Sequence, residues 1–381
     1  MKQTIRGRSP ESGRVLEVIV EDGLVQAIRE VRGENEAWLT SGLIDLQVNG
    51  YGGDDVNREN PDPDTIVSLT EKIIATGVTT YLPTVITASE AKITAALCAV
   101  AEARRSSKLV AHTVPSVHVE GPHLSPSDGP RGAHPLEHIR PPNLDEFNRW
   151  QTASGGLVGM VTLSPHFEGA AEYIAAMARK GVHVAIGHTD ATPDQIHGAM
   201  DAGATLSTHL GNGSAALIPR HANVLWPQLA DDRLTATLIA DGHHLPNDML
   251  KTMIRAKGVA RSILVSDAVA LAGMPPGQYE TPVGGSVELN ADGRLSLAGT
   301  EFLAGAALPL KDGVARAACF AGVSLSESLQ MATRNPGRFT GGRGVLRVGA
   351  PADLIRFTLD REQATLQIET MMVKGREWPI R

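Results

Sequence analysis

Seven of the eight apolar runs in this chain end on a side chain that can ligate a metal or move a proton. "GLIDLQVNG" carries Asp45, Gln47 and Asn49 in alternation. "TVPSVHVE" ends on Glu120, "GLVGMVTLSPH" on His166, "GVHVAIGH" on His188 and "ATLSTH" on His209. "LTATLIADG" ends on Asp241, with His243 and His244 just beyond, and "RSILVSDA" on Asp267. Glu120 poses the sharpest question, because a carboxylate at the end of a buried strand is costly unless it is paired or holds a cation. Two imidazoles and a carboxylate on neighbouring strand ends make a divalent-metal site with positions left open for water and substrate. Such an ion acidifies a bound water and polarises a carbonyl. Asp267 sits where a carboxylate could take a proton from that water and later give it to a leaving amine.

Each residue also has a plainer reading. A lone strand-end histidine is ordinarily a hydrogen-bonded core residue, and Glu120 alone could be one half of a buried ion pair. Asp45, Gln47 and Asn49 could be a polar strand face. His118 reads as barrel filling, and His112, His123, His138, His183, His197 and His221 as surface or supporting residues. What argues for a metal site is the joint pattern of Glu120, Asp267 and several histidines at the strand ends, provided that the strands are gathered into one rim.

The elements supply that condition. The eighth run is "GVTTYLPTV", and Ala-rich helical stretches separate all eight. Continuous apolar strands alternating with helices predict a parallel sheet covered on its faces. Eight such units in roughly 300 residues predict an α/β chain with a (β/α)8 barrel, whose strand C-termini all face one rim. Thr192-Pro193-Asp194-Gln195 and Ser324-Leu325-Ser326-Glu327 read as capping boxes, the first opening a helix that stops at Gly203. Arg179-Lys180-Gly181 closes another helix. Both ends of the chain are β-rich, with Asp22-Gly23 as a hairpin signal. Neither end can bury a sheet alone, so residues 1–42 and 345–381 are expected to form one small β-sandwich, with 43–344 as the barrel. The segment 125–142, "SPSDGPRGAHPLEHIRPP", is long enough to be a functional lid.

The bulk numbers are compatible with this. The chain has 381 residues, is 42% hydrophobic but only 4% aromatic, and carries a formal net charge of −7 spread along its length, so aliphatic side chains must fill the core. No basic block accompanies an aromatic motif, which argues against a nucleic-acid partner, and no apolar run spans a bilayer. Cys98 and Cys319 lack CxxC spacing and read as buried free thiols in a reducing compartment. With no apolar leader near the start, a cytoplasmic protein is expected.

At these residues the chain resembles the amidohydrolase superfamily, and within it the N-acetylglucosamine-6-phosphate deacetylase family. The similarity runs over nearly the whole length, through "GLIDLQVNGYGG", "GVTTYLPT", "HVEGPHLSP", "GHTDAT", "STHLGN", "ADGHHLP", "LVSDA", "LAGAALPL" and "GAPADL". The resemblance implies hydrolysis of the N-acetyl amide of an amino sugar 6-phosphate, giving amino sugar phosphate and acetate. It implies one divalent metal ion on Glu120, His188 and His209, a donor set that suits zinc first, then iron or manganese. Asp267 would be general base and then acid, and His134 would polarise the acetyl carbonyl. Asn212, Arg220 and His244 match positions that bind the sugar phosphate, and a homodimer is implied. Where most amidohydrolases carry His-x-His, this chain has Gln47 and Asn49, as in single-metal members. Amides are poor transition-metal ligands, so these two are expected on the substrate side.

The sequence also departs from the family pattern. "HLGNGS" stands where the family has "HLYNAM", the "GPRGAHP" loop is longer and carries Arg131, and "DAVALAGMPPGQY" follows Asp267. These departures touch substrate recognition and leave two further readings open. One is a related amidohydrolase acting on an unphosphorylated N-acyl or cyclic amide. The other is an inactive barrel serving as a binding scaffold. A dinucleotide-binding enzyme is disfavoured, because no G-x-G-x-x-G follows the first strand.

Overall fold

The computed structural model describes residues 2–281 and 285–380. Among these residues the eight apolar runs form one parallel sheet. Its strands are β1 Leu43–Val48, β2 Val78–Ile86, β3 Val117–Glu120, β4 Val158–Leu163, β5 His183–Ile186, β6 Leu206–Ser207, β7 Thr235–Ile239 and β8 Ser262–Val265. Each strand pairs with the next in sequence. A parallel bridge between Val48 and Ala268 joins the chain beyond β8 to the end of β1. Asp267 N–H also donates to Gln47 O (3.0 Å) and Asn49 N–H to Ala268 O (2.8 Å) across the same seam. The sheet is therefore a closed barrel with its strand ends on one rim.

The burial pattern explains why the strands read as unbroken apolar runs. All six residues of β1 are buried, because both faces of a barrel strand are covered. Ile44, Leu46, Leu82, Met160, Ala185, Leu206, Ile239, Ile263 and Val265 fill the inside. Leu43, Tyr81, Val119, Val161, Val184, Leu238 and Leu264 belong to a second cluster that includes the helix residues. The helices begin and stop where the local chemistry requires. Thr192 and Gln195 form a reciprocal capping box on the helix Pro193–Ala202, which ends on Gly203 in the left-handed region. Ser324 and Glu327 cap Leu325–Met331 in the same way.

Both ends of the chain build a seven-stranded sheet. Its order is Arg376–Trp378, Thr365–Val373, Leu354–Asp360, Trp38–Ser41, Lys2–Arg8, Val15–Glu21 and Leu24–Glu30. Trp38–Ser41 joins the two halves, pairing antiparallel with Leu354–Phe357 and touching the first strand at Arg8. Ile5, Val18, Val20, Val25, Leu39, Leu354 and Met372 form its own small core. His112 ties this unit to the barrel through Asp353 (2.9 Å).

Two features differ from the sequence reading. Cys98 is exposed and Cys319 half-buried, not buried. The helix Glu90–Ser106 has alanine on more than one face, so composition does not identify its inner face, and Ile93, Leu97 and Val100 occupy it. A three-stranded antiparallel sheet, Gly277–Thr281, Gly285–Leu289 and Leu295–Leu297, also stands beyond Asp267. It buries Val287, Leu289 and Leu295 against Leu271 and Ala272. No helix among the described residues is long and apolar enough to cross a membrane.

Candidate active site

Three of the expected site residues leave their strands in an unusual conformation. His188, His209 and Asp267 have φ of 49°, 27° and 51°. A side chain in this left-handed region crowds its own carbonyl, and such residues persist only when their surroundings over-determine them. Here each is clamped. His209 N–H donates to Thr237 Oγ1 (2.7 Å), which itself donates to Ser207 O (3.2 Å). His188 O accepts the Ser125 N–H (3.0 Å), and Asp267 N–H is held on Gln47 O. The turns swing the three side chains over the rim, where Glu120, the last residue of β3, also points.

The convergence is tight. His188 Nε2 lies 3.0 Å from His209 Nε2, His209 Nε2 lies 3.1 Å from Glu120 Oε1, and His188 Nε2 lies 3.5 Å from the same oxygen. A triangle with those sides has a centre about 1.9 Å from each corner, close to the roughly 2.0–2.2 Å of zinc–nitrogen and zinc–oxygen bonds. Glu120, His134 and His188 also offer ligand atoms within 4.8 Å of one another. The shorter mutual distances favour His209 over His134 as the third ligand. His188 Nδ1 donates to Pro130 O (2.8 Å), which fixes the tautomer and leaves Nε2 facing the centre. The donor set and its spacing therefore fit one divalent cation.

Electrostatics point the same way. Glu120 is 3% exposed. Burial alone would raise its carboxyl, but His188 and His209 hold it well below the usual range. Burial would likewise lower His209, and Glu120 reverses this and raises it. The pocket thus stabilises positive charge beside the carboxylate. Asp267 moves the other way, up to about 6, because burial and the Glu120 charge outweigh His209, His244 and a hydrogen bond from Asn49. A carboxyl at that level can both accept and return a proton near neutrality.

Gln47 and Asn49 take up the inner sides of the two acids. Gln47 Nε2 donates to Glu120 Oε1 (2.9 Å), and Asn49 Nδ2 donates to Asp267 Oδ1 (2.8 Å). His134, on the 125–142 segment, is buried with its ring edge-on to His188 at 4.4 Å. Burial and the neighbouring His188 push it down to about 3, so it is a neutral imidazole with one N–H to donate. The segment that carries it is fastened to β5 through Ser125 and Pro130. His244 Nδ1 donates to Asp241 Oδ2 (2.7 Å), and Asn212 Nδ2 donates to His209 O (3.2 Å).

Not every expected residue joins the cluster. Arg220 is exposed and makes no hydrogen bond or ion pair among the described residues. His166 bonds Ser164 Oγ (2.6 Å) and packs on Phe167, and His243 Nε2 donates to Asp292 O (3.1 Å). His118 is buried on Thr162 Oγ1 (2.7 Å) beneath the site. The sequence reading missed the supports: Thr237, the Pro130 carbonyl, and the glycines Gly132 and Gly213, which pack on the His188 ring. Only the glycines left a signal in the sequence, in "PRGAH" and "GNGS".

Comparison with known proteins places these features in a wider set. The model of the amidohydrolase family matches residues 38–377. An N-acetylglucosamine-6-phosphate deacetylase of Bacillus subtilis is 30% identical over 356 residues, covering 92% of this chain and 88% of the relative. An N-acetylgalactosamine-6-phosphate deacetylase of Escherichia coli O157:H7 is 33% identical over 332 residues, covering 86% and 85%. The crystal structure of N-acetyl-D-glucosamine-6-phosphate deacetylase from Mycobacterium smegmatis is similar with a TM-score of 0.87 and 28% identity, covering 99% of each chain.

The glycine packing yields a test. A Cβ at Gly213 would lie 2.8 Å from His188 Nδ1, at a φ of 55° that already disfavours a side chain. With zinc added as the probe ion, Gly213→Ala should displace the ring and weaken its uptake by about tenfold or more, as loss of outer support around a ligand does. Competition against a chelator measures this; unchanged zinc affinity in the folded variant contradicts the packing argument.

Proposed function

The chain belongs to the amidohydrolase family, and from that membership we propose that it hydrolyses the N-acetyl amide of an amino sugar 6-phosphate to the amino sugar phosphate and acetate. The observation that carries this reading is the meeting of Glu120, His188 and His209 within 3.5 Å, with Asp267 beside them on the same rim. Glu120, His188 and His209 would hold one divalent cation, which when bound supplies Lewis-acid polarisation of the amide carbonyl and a more acidic water. Two imidazoles and a carboxylate suit zinc, with iron or manganese as the alternatives.

The chain's own groups do the rest. Asp267 takes a proton from the water as its oxygen bonds the acetyl carbon. It then gives that proton to the nitrogen as the carbon–nitrogen bond breaks. Asn49 occupies Oδ1 of Asp267 and so leaves Oδ2 for this transfer. His134, neutral and donor-capable, stabilises the carbonyl oxygen as it gains charge. Gln47 presents an N–H to Glu120 where other family members have a metal-ligating histidine, which supports a single cation. His244 and Asn212, beside Asp241 and His209, would contact the sugar and its phosphate.

Arg220 supports a homodimer in this reading. It lies exposed near Leu217, 92% exposed, and Ile218, with Trp226 a few residues on. A cation among exposed apolar side chains suits an interface at which a second copy brings Arg220 to a phosphate. Two unpaired cysteines fit a cytoplasmic setting. The exposure of Arg220, with no hydrogen bond or ion pair among the described residues, leaves a second reading, in which the substrate is an unphosphorylated N-acyl or cyclic amide.

Two variants test this reading, and the second separates it from the unphosphorylated alternative. Asp267→Asn should keep one metal per chain yet lose about 10²–10⁴-fold in kcat, the usual worth of a positioned acid–base group; near-normal turnover contradicts the role. Arg220→Ala should raise KM for N-acetylglucosamine 6-phosphate by about tenfold or more, as loss of a charge-assisted hydrogen bond does, with kcat nearly constant and rates on the free sugar unchanged. Equal effects on both substrates favour the unphosphorylated reading.

A further inference from the structure

The barrel seam contains a buried acid that this reaction does not use. Asp45 lies on β1 and is 1% exposed. Its Oδ1 accepts the backbone N–H groups of Ser266 (3.2 Å) and Gln47 (3.3 Å). Ser266 is the link between the end of β8 and Asp267. Beyond it, Asp267 N–H donates to Gln47 O (3.0 Å), and Ala268 N–H donates to Ser266 Oγ (3.1 Å). Ser266 Oγ in turn donates to Gln47 O (3.4 Å). The three residues that turn the chain out of β8 are therefore held from one side by β1.

That turn is not a relaxed one. Asp267 sits at φ 51°, a conformation that a residue with a Cβ avoids unless its neighbours impose it. Of the groups that impose it, the Gln47 carbonyl is main chain and present whatever the sequence. Asp45 is a side-chain acceptor at the first residue of the turn, so its identity matters. Without it the Ser266 and Gln47 N–H groups lose their acceptor in a buried place, and the chain must shift to satisfy them. The direction of the Asp267 carboxylate shifts with it. Burial raises the Asp45 carboxyl to about 7, against the bonds from Ser266 and Gln47. The accepting role needs only a lone pair on Oδ1, which the acid, the carboxylate and an amide all provide.

We propose that Asp45 is a positioning residue for Asp267, which it aims by gripping the backbone of the strand-8 exit. The proposal rests on the reading of Asp267 as the proton carrier. Its test uses the zinc-loaded enzyme and N-acetylglucosamine 6-phosphate. Asp45→Ala should lower kcat by about 100-fold, the scale of a 1 Å misplacement, with KM within about threefold and zinc content unchanged. Asp45→Asn, which keeps the acceptor, should recover most of the loss. Hydrogen exchange at the Ser266, Asp267 and Ala268 amides should quicken in Asp45→Ala and not in Asp45→Asn, which remains readable if the alanine variant is less stable. If Asp45→Ala does not fold, Asp45→Ser, whose hydroxyl is too short to reach Ser266, takes its place with the same expectations. Wild-type kcat in the truncated variant, a loss matched by lost zinc, or an asparagine variant no better than alanine overturns the proposal. Asp267→Asn assayed alongside separates the two ideas: normal turnover there removes Asp267 as the proton carrier, whereas its loss together with an unaffected Asp45→Ala removes only the aiming role.

Discussion

A carboxylate buried to 3% exposure at the end of a barrel strand constrains everything around it. Left alone, Glu120 would cost several kcal/mol of desolvation, more than a marginally stable domain tolerates at one position. The site meets this cost by bringing positive charge to the carboxylate. His188 and His209 hold Glu120 ionised, and Glu120 in turn raises His209. A divalent cation placed between the three atoms supplies the same charge in place of a proton, so metal binding and proton release are linked, and acid opposes binding. In the proposed reading, the burial that makes Glu120 expensive without a partner would also favour its binding of a cation.

Holding three such groups together requires backbone conformations that the chain would not adopt locally. His188, His209 and Asp267 are all left-handed, and each is held by a partner from another strand or loop. The barrel provides the partner of Asp267 because closing the sheet brings β1 beside β8, and Gln47, Asn49 and Asp45 act across that seam, whereas Thr237 of β7 holds His209 and Ser125 holds His188. The amides also set the number of charges. An N–H directed at Glu120 and another at Asp267 partly neutralise both acids without adding a ligand. Gln47 and Asn49 thus do more than line a polar strand face: each is bonded to one of the two acids.

The architecture was largely legible, for a physical reason. Barrel strands buried on both faces must be continuous apolar runs, and helix caps need Thr192 with Gln195 or Ser324 with Glu327, so both leave local signatures. Strand-end Glu120, His188, His209 and Asp267 were visible because barrel closure gathers strand ends that lie far apart in the sequence, so ligand-type residues at several of them form one pattern. The supports were not visible. The carbonyl of Pro130 has no sequence signature, and Thr237 is one of many strand threonines. Neither the exposure of Cys98 on an alanine-rich helix nor the small sheet after Asp267 could be read, because the first depends on helix rotation and the second on short strands interrupted by turns.

In the proposed reading, Glu120 is tolerable because a single cation would sit between it and two histidines. Elemental analysis of protein produced with zinc and iron both available tests it directly. One divalent ion per chain is expected in the native sequence, and its loss, with the fold retained, in Glu120→Gln. A native protein without metal, or a Glu120→Gln variant that keeps its ion with undiminished affinity, contradicts it.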